Sequence, residues 1–123
     1  MPLKAFAITM IFLLSAASQA LGQEINFPEF SEEAREGGAV FMGKCASCHG
    51  PFAQGNEKGP PLIHKYYEPN HHSDQSFHLA IRRGARQHHW NFGNMPVVEG
   101  VADVEIPLII RYVRELQRAN GIY

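Results

Sequence analysis

The chain has 123 residues, with 11 Lys and Arg against 12 Asp and Glu and a formal net charge of −1 at neutral pH. That balance excludes the basic footprint of a nucleic-acid binder. The length is one domain's worth, and both cysteines stand in a single short motif, so the disulfide scaffold on which many small exported domains lean is excluded as well.

Residues 1–22 read as a signal peptide. Lys4 supplies the positive start, Ala5 to Leu14 the apolar stretch, and Ser18-Gln19-Ala20 the small residues of a cleavage site, with Ala20-Leu21-Gly22 as a second candidate. The apolar run falls short of the roughly 20 residues that span a bilayer, so a cleaved leader is expected and not an anchor. The domain proper is then 23–123, exported or periplasmic, with no stable membrane insertion. A core of that size is marginal without a staple.

After an extended lead-in containing Pro28, a first helix is predicted with Ser31 as N-cap. Glu32, Glu33 and Glu36 lie where the helix dipole favours negative charge. Gly37-Gly38 inside this helix predicts a close crossing by another helix, since paired glycines are poor helix formers. The helix runs through Phe41 towards Cys45-Ala46-Ser47-Cys48-His49. This C-x-x-C-H run is the attachment signature of a c-type haem. Two thiols three positions apart form thioethers to one porphyrin, and the adjoining histidine supplies a nitrogen to the iron. A zinc site would want four ligands, and no second cysteine pair exists. A dithiol redox motif would stand beside a β-α-β pattern, which is absent. The expected cofactor is therefore one covalent haem c with its iron, the missing staple of the small core.

Gly50-Pro51, Gly55-Asn56 and Gly59-Pro60-Pro61 mark a long loop. A short middle helix is expected from a cap at Ser73 or Asp74 to a stop at Gly84, with Phe77, Ala80 and Ile81 on one face. A second loop spans His88 to Pro96. The last helix is placed within Asp103 to Ala119, because Ile106, Ile109, Ile110, Val113 and Leu116 form one apolar stripe. Arg111, Arg114, Glu115 and Arg118 are assigned to its wet face. Pro107 suits a first turn, and Asn120-Gly121 a C-terminal stop. No strand shows period-two alternation, so the class is all-α.

In this order the pieces resemble a small class I cytochrome c over nearly all of the mature chain. The likeness rests on the haem motif, on Gly37 and Phe41 upstream of it, on Gly59-Pro60-Pro61-Leu62, and on Ile109 and Tyr112-Val113 of the last helix. It implies three main helices wrapped around one haem, with Gly37 and Phe41 meeting the carboxy-terminal helix. It also implies that the Pro60 carbonyl accepts the second ring N–H of His49, fixing its tautomer. Met95, followed by Pro96, resembles the loop that presents the family's axial methionine. Elimination points the same way: Met1 and Met10 leave with the signal, and Met42 is on the same helix three residues before Cys45. Any of His64, His71, His72, His78, His88 and His89 is an alternative sixth ligand. The pairs His71-His72 and His88-His89 could also hold an extra metal such as copper. Lacking tight ligand spacing on one helix, they are expected to be exposed loop residues or partners of the haem propionates. Trp90, Arg82, Arg83 and Arg86 are further propionate candidates.

With His49 and Met95 both on the iron, no site is open to substrate. The resemblance implies a one-electron carrier and not an enzyme. It would work as a monomer or in transient complexes between exported redox proteins, through the small interfaces of such encounters. The rivals are a haem enzyme with a labile distal site and a module docked to an oxidase or dehydrogenase.

Overall fold

Ser31 opens the first helix as its cap: the side chain accepts a hydrogen bond from the Ala34 N–H, satisfying one of the donors that every helix start leaves over. The computed structural model describes residues 24–123, so the predicted signal peptide lies outside the described residues. Its helices are α1 (Glu32–Lys44), α2 (Ala46–His49), α3 (Asp74–Arg83) and α4 (Ile106–Ala119), with a 3-10 turn at Lys65–Tyr67. Among the described residues there is no strand, only isolated bridges pairing Asn56 with Gly59 and Ala85 with Met95. The all-α class holds, with the three long helices where the patterning puts them. No described helix is long and apolar enough to cross a membrane.

The glycine pair does what its position predicts. A Cβ on Gly37 would lie 1.9 Å from the Leu108 carbonyl oxygen, and one on Gly38 would lie 3.0 Å from the Tyr112 ring. Helix α1 therefore crosses α4 backbone against backbone, a contact that any side chain would force apart. Phe41, Ile106, Val113 and Leu116 are fully buried at and around this crossing, and each such side chain contributes about 1.5–3 kcal/mol through removal from water. The Tyr112 ring packs at 5.2 Å from both Phe30 and Phe41, and its hydroxyl donates to the Pro51 carbonyl. Glu115 accepts from both the backbone N–H and the hydroxyl of Ser31, tying the start of α1 to α4.

Helix α3 begins at the Ser73 cap and ends at Gly84, whose φ of 73° and ψ of −179° only glycine adopts readily. Helix α4 starts with Pro107 in its first turn and buries the whole predicted stripe.

One assignment on α4 is corrected. Arg114 is not on the wet face but 6% exposed, and Gln117 beside it is fully buried. The guanidinium donates to the Tyr67 and His72 carbonyls, to Gln117 Oε1 and to Asp74. The Gln117 amide donates to the Leu62 and Tyr67 carbonyls. The strand-free stretch 62–72 has no ladder for its carbonyls, and buried carbonyls need donors. Arg114 and Gln117, one helical turn apart, provide them.

Candidate functional site

Backbone geometry turns the cysteine-histidine run into a single face. The Cys45 N–H still bonds the Phe41 carbonyl of α1, and the N–H groups of Cys48 and His49 both bond the Cys45 carbonyl. Residues 45, 48 and 49 thus sit at i, i+3 and i+4 of one helical turn, the spacing at which side chains share a face. Gly50, at φ 77°, reverses the chain immediately afterwards.

The loop that follows is sewn back onto this turn. The Gly55 N–H bonds the His49 carbonyl, the Asn56 amide bonds the Ser47 carbonyl, and Asn56 pairs with Gly59. Gly59 passes so close that a Cβ would lie 2.6 Å from the Cys48 carbonyl oxygen. The next residue delivers its carbonyl to His49: Nδ1 stands 2.9 Å from the Pro60 oxygen. A carbonyl can only accept, so Nδ1 carries the proton and Nε2 keeps its lone pair. Burial lowers the His49 pKa, partly offset by the Pro60 bond, and the neutral, metal-binding form is favoured. Burial, with Cys48 nearby, pushes the Cys45 thiol up to about 11.

These three side chains line a cavity of about 900 Å³ whose walls come from every helix. That is the upper part of the size range of small-molecule and cofactor sites. Phe41, Leu62, Ile81, Ile109 and Val113 give it an apolar lining. Met95 lines the same cavity, held by a two-way backbone pair with Ala85 (3.0 and 2.8 Å). Met42 does not line it and is 54% exposed on α1. Two thiols, an imidazole nitrogen with a free lone pair and one thioether, converging on an apolar cavity of porphyrin scale, fit a covalent haem.

Other expected residues fall differently. The Trp90 indole donates to the Tyr67 hydroxyl, 3.1 Å away. Arg82 is committed to the Val101 carbonyl and to Asp103. Arg86 alone of the three arginines borders the main cavity. Tyr67 escapes sequence reasoning although it lines the cavity, because nothing in the local pattern marks one tyrosine of Tyr66-Tyr67 for the interior. The two histidine pairs stand on loops, as expected, with His71 and His88 exposed and His72 and His89 half-buried, but the loops bring them together. His71, His72 and His89 gather within 4.8 Å of one another, with His88 against His72.

A search of curated proteins returns no match. The family model for cytochrome c matches residues 34–117, from the first turn of α1 to the last turn of α4, and so encloses every residue of the site.

Proposed function

The chain belongs to the cytochrome c family, as a small class I member with one covalent haem c, and on that premise we propose a one-electron shuttle with His49 and Met95 as axial ligands. The family shows a haem-based electron carrier. The ligand set, the exported location and service between transient redox partners belong to the proposal. When bound, the haem supplies reversible one-electron chemistry at iron.

The chain's residues divide the remaining tasks. Cys45 and Cys48, on one helical face, anchor the porphyrin by thioethers. His49 offers Nε2, and the Pro60 carbonyl holds its ring orientation and makes the nitrogen a stronger donor. Met95 offers a thioether sulfur from a backbone braced against Ala85. Phe41, Ile81 and Val113 keep water from the interior, which favours the less charged state of the centre. With His49 and Met95 both donating to the iron, the bound haem would need no ligand exchange on changing valence, and the protein would rearrange little. The single observation that carries this reading is that Met95, alone of the methionines among the described residues, lines the cavity that Cys45, Cys48 and His49 also line.

Met95→Ala tests it. Covalent haem should remain, the potential should fall, and carbon monoxide should bind the ferrous variant readily and the native protein poorly. Peroxidase-like turnover should rise in the variant. An unchanged spectrum and potential would transfer the sixth position to a histidine. Rapid carbon monoxide binding by the native protein would favour the open-site enzyme.

A further inference from the structure

Two loops that share no helix bring four imidazoles into one knot. The His71 and His72 N–H groups both bond the Glu68 carbonyl, which fixes that pair in a turn ahead of α3. The other pair is fixed by side chains of its own loop: the Gln87 N–H bonds Asn94 Oδ1, and the Gly93 N–H bonds Gln87 Oε1. One ligand atom from each of His71, His72 and His89 lies within 4.8 Å of the others, and His72 Nε2 stands 3.3 Å from His88 Nε2. The rings are also held by stacking, His71 on His72 at 4.8 Å and His89 on Tyr66 at 4.6 Å.

With all rings neutral, the hydrogen bonds of this knot leave two lone pairs facing each other. His72 Nδ1 faces the Tyr66 carbonyl at 2.5 Å, and His88 Nδ1 faces the Arg86 carbonyl at 2.7 Å. Carbonyls only accept, so both Nδ1 atoms carry protons, and in the neutral rings both Nε2 atoms present lone pairs. Those two lone pairs then confront each other across 3.3 Å with no proton between them. Protonating one ring would answer that contact alone. The proton would also leave His89 Nε2 as it is, buried and without a partner. A metal ion answers all of these lone pairs together. Nitrogens bound at about 2.0–2.1 Å to a tetrahedral ion stand about 3.4 Å apart, close to the separation of His72 and His88. An Nδ1–H donated to a backbone carbonyl is, moreover, the arrangement that orients metal-binding histidines.

We propose that His71, His72, His88 and His89 form a second metal site, for a zinc-class divalent cation held by imidazole nitrogens. The four rings border the same cavity as His49 and Met95, so the ion would sit beside the haem as a separate charged centre. The site rests on the proposed Met95 ligation, which leaves all four rings free of the haem iron.

The test uses holo-protein stripped with a chelator and titrated with Zn²⁺ by calorimetry. One equivalent should bind in the micromolar range or tighter and raise the melting temperature. His72→Gln and His88→Gln should each weaken uptake by more than about tenfold, the loss that outer-sphere changes alone produce. His78→Gln, on α3 outside the knot, should leave uptake unchanged. Haem absorption reports whether each variant is folded, and His88, exposed on its loop, carries the test should His72→Gln fail to accumulate. Absence of saturable uptake overturns the proposal, as does uptake indifferent to both substitutions. A haem spectrum altered in these variants with zinc uptake intact would also overturn it, by giving the rings to the haem instead.

Discussion

Gly84→Ala probes how the fold presents Met95. Gly84 has φ 73° and ψ −179°, a region that costs a side-chain-bearing residue about 1–3 kcal/mol. A Cβ there would also stand 2.4 Å from the Met95 carbonyl oxygen, with the Pro96 carbonyl carbon next at 3.3 Å. Real Cβ contacts do not fall below 3.0 Å, so the Met95 backbone must retreat by about 0.6 Å or more. The Ala85 N–H to Met95 oxygen bond, now 3.0 Å, is the first to break, and its return bond at 2.8 Å follows. Each is worth about 0.5–1.5 kcal/mol net. Strain and lost bonds together give about 2–6 kcal/mol, concentrated where the methionine is held. Because the strain falls on the loop that carries Met95 and not on the α1–α4 crossing, the variant should lose methionine ligation before it loses the fold. Denaturant titration followed in parallel by the iron–sulfur absorption and by helix content should show the first transition earlier than the second, with the two closer together in the native protein. If Gly84→Ala keeps native stability and native methionine signals, the contact of Gly84 with the Met95 backbone is not what positions Met95 and the reasoning fails.

Two further outcomes follow from the packing. Arg114→Leu takes the donor from the His72 carbonyl and from Gln117 Oε1 and leaves the Tyr67 carbonyl to Gln117 alone, and at about 1–3 kcal/mol for each unsatisfied group it should destabilise far more than Arg111→Leu on the exposed face of the same helix; equal effects in urea unfolding would contradict the buried network. Burial holds the Tyr112 pKa above its ordinary value of 10.0, so the folded state keeps a proton that the unfolded state releases. Stability from this residue is complete below about pH 10 and is lost as pH rises through the raised folded value, with a slope of up to about 1.4 kcal/mol per pH unit. Tyr112→Phe should flatten that alkaline loss while costing a constant amount for the bond to Pro51; an identical slope in the variant would refute the assignment.

The parts of this protein readable in its sequence are those governed by rules that reach only a few residues along the chain. Ser31 and Ser73 cap helices because a side chain contacts the N–H three positions on, and Gly84 stops α3 because its backbone must turn over. The cofactor is legible for the same reason: both thiols and the imidazole lie within five consecutive residues, and one helical turn aligns them. Even the helix crossing is marked, since Gly37-Gly38 makes sense only where another backbone comes close. What the tertiary structure alone decides are pairings whose partners are dozens of residues apart. Arg114 has the neighbours of a surface residue in sequence, but loop 62–72 closes over it with unpaired carbonyls, and satisfying them outweighs exposing the charge. Likewise His71-His72 and His88-His89 have no ligand spacing along any helix. They meet because two loops, each stabilised by its own turn bonds, end at the same place, and no local pattern records where a loop will close.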